Sequence, residues 1–120
     1  MTNFPIIDPE AIDHLRSLNP GDNDEFLREI IGIFLEDTPL RIAELDTSLA
    51  ALDKERFTRA AHSIKGSSAN LGALALRSVA EKLEHHSNKE GLTDVSGMIA
   101  DINTQFALAR NELNRITGAI

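Results

Sequence analysis

Between Arg56 and Leu71 the apolar residues return every three or four positions, and that spacing suits one kind of backbone. Laid out at about 100° per residue, Phe57, Ala60, Ala61, Ile64, Ser68 and Leu71 fall on one side of a helix. Arg59, His62, Gly66 and Ala69 fall on the other. A buried stripe needs covering, and the remainder of the chain offers further helices, with no segment following the two-residue period of a strand. His62 is therefore expected in water, with Thr58 and Lys65 one turn to either side of it. Gly66 shares that face, where glycine costs about 1 kcal/mol relative to alanine and no neighbouring helix needs the space. Room for a partner's backbone approaching the imidazole is the simplest use for it.

Charge narrows the chemistry. Across 120 residues there are 12 basic and 19 acidic side chains, a net charge of -7. From Arg56 through Ala80, however, Arg56, Arg59, Lys65 and Arg77 stand with no acid among them. A local basic patch around an exposed histidine suits a transferable anion such as a phosphoryl group, or a partner with an acidic pocket. The absence of cysteine removes disulfides, thiol nucleophiles and cysteine metal sites. Acidic balance and phenylalanine as the only aromatic type argue against nucleic-acid binding. The opening Met1–Asp8 has neither a basic start nor a long apolar run, so no signal peptide or membrane span is expected, and the cytoplasm is the expected compartment. One domain over residues 1–120 is expected at this length.

The run His62-Ser63-Ile64-Lys65-Gly66-Ser67-Ser68-Ala69-Asn70-Leu71-Gly72-Ala73, preceded by Arg59-Ala60-Ala61, resembles the signature of histidine-containing phosphotransfer (HPt) domains of multistep two-component signalling. The resemblance implies a helical bundle in which His62 carries a phosphoryl group. Its donors and acceptors would be aspartates of response-regulator receiver domains, which bring their own divalent metal, or a hybrid sensor histidine kinase. Lys65 would offset the phosphoryl charge, with Arg59 as a second cation, and Thr58, Arg59, Gly66 and Ala69 would form the docking face. Ser67 and Asn70 are placed to bond neighbouring helices or a partner, whereas Ser68 projects inward. No bound cofactor and no metal are expected on this chain, and it is expected to be a monomer.

Taken in order, Asp8-Pro9-Glu10 supplies a cap, a first-turn proline and an acid for a helix from Pro9 to about Leu18, ended by Asn19-Pro20-Gly21. A second helix starting at Asp22 or Asn23 carries Phe26, Leu27, Ile30, Ile31, Phe34 and Leu35. Thr38-Pro39 reads as a fresh cap and first-turn proline, opening a new helix or a kinked continuation with Ile42, Leu45, Leu49 and Leu52. Asp53 caps the helix bearing His62, and Gly72 breaks it. Leu74 to about His86 forms the next helix, Ser87–Gly91 a loop, and Asp94 or Thr93 caps a last helix running from Val95 to Ile116 and closed by Gly118. The adjacent His85 and His86 point about 100° apart and make a poor metal pair. The fold expected is all-α: an antiparallel four-helix bundle, up-down-up-down, from about Pro39 onward, with two additional N-terminal helices packed at one end.

No phosphate-binding glycine loop of the P-loop kind occurs, and nothing resembles the nucleotide boxes of a histidine kinase, so a phosphocarrier without its own ATP-dependent kinase activity is expected. The same motif also resembles the phosphoacceptor domain of chemotaxis-type kinases, and the chain could be that piece or the module of a hybrid kinase. A helical adaptor with an incidental histidine is a rival of another class. A hydrolase is the weakest rival, because it needs a pocket and an orienting carboxylate, and Glu55 and Glu81, the nearest acids, are not helical neighbours of His62.

Overall fold

In the computed structural model, which describes residues 4–118, the Asp8 carboxylate accepts the Glu10 backbone N–H at 3.1 Å and opens helix α1, Pro9–Ser17. Next comes α2, Glu25–Ala50, then α3, Lys54–Asn70, α4, Leu74–Glu90, and α5, Ser96–Thr117. Among the described residues the chain is all-helical, with no strand.

Among the described residues five helices stand where six were expected. The segments read as separate helices on either side of Thr38-Pro39 are one 26-residue helix, so a single short helix, not two, precedes the four long ones. A proline inside a helix removes one backbone donor and crowds the preceding turn, at about 3 kcal/mol. Pro39 sits on the exposed flank of α2, while Leu27, Ile31, Phe34, Thr38, Ile42 and Leu45 continue one buried stripe straight past it. Each large apolar side chain in that stripe gains about 1.5–3 kcal/mol by burial, so keeping the stripe in line outweighs the lost bond. The start of α2 is also later than Asp22. Asp24 takes the left-handed conformation at φ 62° with Arg16 on its carboxylate at 3.1 Å, and Asp22 accepts the Phe26 N–H at 3.0 Å.

Later boundaries follow the caps more closely. Asp53 accepts the Arg56 N–H at 3.1 Å and starts α3. At its far end Ala73 N–H reaches Ser68 O and Gly72 N–H reaches Ala69 O, a paired closure that requires the left-handed φ of +69° at Gly72. The next helix outruns the expected stop at His86 and absorbs most of the segment read as a loop, ending at Gly91. His86 Nε2 there donates to the Thr93 carbonyl at 2.7 Å and ties the turn to α4. Neither Thr93 nor Asp94 caps α5: Val95 holds that position without a side-chain bond, and Gly118 closes the helix as expected.

α3 lies between α2 and α4, and α5 closes the ring by packing on α4 and α2. Phe34 and Phe106 meet across the α2–α5 seam with ring centroids 5.8 Å apart. The N-terminal segment is pinned over the α3–α4 turn: Asp8 N–H donates to Gly72 O at 2.8 Å, and Ala75 N–H donates to Pro5 O at 3.0 Å. α1 comes so close that a Cβ on Gly72 would stand 2.5 Å from that of Ala11. This clamp fixes the end of α3 and hence the helix's rotation.

Candidate functional site

The stripe on α3 is buried as its spacing requires, with Phe57, Ala61, Ile64 and Ser68 fully enclosed and Ala60 and Leu71 nearly so. Burial on that side turns His62 outward, its side chain 64% exposed. Arg59, Gly66 and Ala69 share the open face. A Cβ built on Gly66 would meet nothing within 4 Å, so the approach to the imidazole from the next turn is bare.

α4 contributes a group that spacing along α3 cannot reveal. Glu84 is half-buried, its Oε2 lies 2.8 Å from His62 Nδ1, and its Oε1 accepts from Lys65 Nζ at 2.7 Å. Burial by itself would raise the Glu84 carboxyl, but the hydrogen bonds from Lys65 and His62, reinforced by their charge, outweigh it and hold the group below the usual carboxylate range. An ionised carboxylate only accepts, so Nδ1 carries the hydrogen, and in the neutral ring the lone pair sits on Nε2, facing out. Lys65 is therefore not a loose cation beside the histidine but is held through the carboxylate that holds the ring.

The other side chains are placed as follows. Thr58 is half-buried, with its hydroxyl 2.7 Å from that of Ser87, which in turn donates to the Glu84 carbonyl, so it braces α3 against α4. Arg59 is exposed and pairs with Glu55 at 3.4 Å. The basic surround expected of His62 is thus partly compensated, by Glu84 and Glu55 from outside the acid-free stretch. Ser67 donates back to Ser63 O at 3.1 Å within α3, and Asn70 is exposed at the edge facing α2. A cavity of about 610 Å³ opens beside His62 between α3 and α4, with Arg59, Thr58, Glu84 and Asn88 in its wall. Among the described residues no group of three or more His, Cys, Asp or Glu could hold a metal ion.

The site is thus a ring of helices that holds one imidazole clear of its core, with one ring nitrogen tied to Glu84. Residues 29–118 match the family model of the Hpt domain, and the chain belongs to that family. It is 32% identical over 81 residues to multistep phosphorelay regulator 1 of Schizosaccharomyces pombe, a match covering 68% of this chain and 28% of that protein. The fold is that of histidine-containing phosphotransfer protein B from Pseudomonas aeruginosa PAO1, with a TM-score of 0.86 at 24% identity, over 98% of this chain and 99% of that one. A putative histidine-containing phosphotransfer protein from rice superposes with a TM-score of 0.82 at 22% identity, over 95% and 81% of the two chains. No helix among the described residues is long and apolar enough to cross a membrane.

Proposed function

We infer that this chain is a phosphorelay carrier that takes a phosphoryl group on His62 Nε2 from a receiver aspartate, or from a hybrid kinase, and passes it to another receiver. The observation that carries the reading is the Glu84 bond to Nδ1, which leaves Nε2 as the open nucleophile on a face kept bare by Gly66. In the forward step the Nε2 lone pair attacks phosphorus in line, the N–P bond forms, and the P–O bond to the donor aspartate breaks to release its carboxylate. The hydrogen stays on Nδ1, donated to Glu84 throughout, so the positive charge growing on the ring meets a fixed carboxylate. Lys65, 26% exposed and already within one turn, is placed to turn toward the phosphoryl oxygens. The divalent cation belongs to the receiver.

The scaffold proposed for this exchange is one domain acting as a cytoplasmic monomer, its long helices α2 to α5 running up-down-up-down. Three-residue links on both sides of α3 support that arrangement, as does the cross-helix pair of Arg56 with Glu44. ATP-dependent self-phosphorylation is not part of the proposal, because no nucleotide-binding motif accompanies the histidine. Thr58, a hydroxyl in the cavity wall, is bonded to Ser87 and so is not offered as a nucleophile beside His62.

Mixing the chain with phosphorylated receivers should place an acid-labile, base-stable label on it, and His62→Gln should remove that label. Label persisting in His62→Gln would put the acceptor elsewhere.

A further inference from the structure

The polar side-chain links between α3 and α4 among the described residues all lead to Glu84. His62 Nδ1 and Lys65 Nζ take its two carboxylate oxygens, at 2.8 and 2.7 Å. The remaining link joins Thr58 Oγ1 to Ser87 Oγ at 2.7 Å, and Ser87 Oγ donates to the Glu84 backbone carbonyl at 3.1 Å. A serine hydroxyl has one hydrogen. With that hydrogen on the Glu84 carbonyl, the oxygen is left to accept, so Thr58 is the donor. One path of bonds therefore runs from α3 through Ser87 to the backbone of Glu84, and another runs from its carboxylate back to α3.

Thr58 stands one turn before His62 on α3, and Ser87 nearly one turn after Glu84 on α4, so the two bonded pairs form successive rungs across the seam. The rungs differ in their surroundings. Ser87 is fully buried and Thr58 half-buried, which keeps water from competing for their bond, whereas His62 is 64% exposed and its rung is open to solvent. Hydrophobic burial presses α3 against α4 without direction. A hydrogen bond has direction and is lost once donor and acceptor part beyond about 3.5 Å. The buried rung thus fixes where along α3 the Glu84 backbone stands, and the carboxylate reaches Nδ1 from there.

We propose that Thr58 and Ser87 are positioning residues for phosphoryl transfer: their buried bond holds Glu84 where its carboxylate keeps the hydrogen on His62 Nδ1 and leaves Nε2 free to attack. The proposal rests on the phosphocarrier reading, and it moves Thr58 from the docking face into the seam. Neither hydroxyl touches the phosphoryl group. A slip of about 1 Å along the seam is enough to part the exposed rung, and a misplacement of that size costs up to about a hundredfold in rate.

The test follows the tautomer of His62 by nitrogen NMR, alongside the rate of transfer from a phosphorylated receiver, in the full chain. In Thr58→Val and in Ser87→Ala the share of Nδ1–H should fall about twofold and the transfer rate about tenfold. Thr58→Ser, which keeps the hydroxyl, should restore both. Ile102→Val trims a fully buried side chain on α5, and it should lower the melting temperature while leaving tautomer and rate at the parent's values. Lower melting temperatures in Thr58→Val and Ser87→Ala, with tautomer and rate unmoved, would make the rung merely structural and overturn the proposal while the carrier stands. Slower transfer with an unmoved tautomer would return Thr58 to the docking face and overturn it as well. So would a tautomer shift of the same size in Ile102→Val, because lost stability alone would then explain the effect. A parent that no phosphorylated receiver labels would remove the carrier reading, and the proposal with it, however the tautomer responds.

Discussion

The two glycines of the histidine motif should respond to the same substitution with opposite signs. At Gly72 an alanine must keep a left-handed φ of +69°, which costs a residue with a Cβ about 1–2 kcal/mol. The new methyl would stand 2.5 Å from Ala11 Cβ and 3.1 Å from Asp8 Cβ, both fixed to the backbone of the α1 start, so α1 has to move. Overpacking of that kind costs about 1–3 kcal/mol. The stiffer unfolded chain returns about 0.4–1 kcal/mol. The net is a loss of about 2–4 kcal/mol, a large share of the stability of a single domain, and a fall in melting temperature on the order of 10 °C. At Gly66 nothing lies within 4 Å and the backbone is ordinary helix, so alanine should gain about 1 kcal/mol. Thermal unfolding followed by circular dichroism reads both. Amide exchange at Asp8 and Ala75, which donate to Gly72 O and Pro5 O, shows whether α1 has lifted from the turn. A Gly72→Ala protein that melts within about 2 °C of the parent, with both amides still protected, would refute the argument from close approach.

The remaining predictions concern the site. Gly66→Gln should fold normally and slow transfer about tenfold or more by covering the approach to Nε2; an unaltered rate would leave that glycine without the role given to it. Lys65→Ala should reduce transfer about tenfold without abolishing it, since its role is electrostatic, and complete loss in rapid-quench transfer assays would contradict that assignment. Glu84→Gln should slow transfer about 10–100-fold by loosening the tautomer and orientation of the ring, measurable as the share of Nδ1–H in the nitrogen NMR spectrum of His62. Because the Glu84 carboxyl is held below its ordinary value, its share of stability is full above that value and is lost as pH falls through the lowered one. The glutamine variant should therefore lose part of the parent's stability change in that acid window, and identical acid-unfolding curves would argue against the pair.

How much could be read before the structure depended on whether one helix or two settled the question. The rotation of α3 was legible because Phe57, Ala60, Ala61, Ile64, Ser68 and Leu71 alone decide which side is buried, and Asp8 and Asp53 announced their helices by local bonding. Pro39 was misread because its local cost is visible in the sequence, whereas the stripe from Leu27 to Leu45 that outweighs it depends on what α3 and α5 cover. The end of α4 was placed too early for a like reason, since Ser87 is buried against Thr58 and keeps the helix going past His86. Glu84 escaped a search limited to helical neighbours. The signal that could have found it is symmetry about the turn: His62 and Glu84 stand equally far from Ala73, so folding α4 back on α3 brings them abreast. Glu84 also follows the core residue Leu83, which puts it on the flank of α4 rather than its outer face.

With Nδ1 moored to Glu84, the imidazole has one berth. On the proposed reading giver and taker come alongside at the same nitrogen and over the same bare turn, so neither is present while the other is loading. Traffic through such a carrier is strictly alternating, and an abundant acceptor that is already charged obstructs the quay as effectively as any inhibitor.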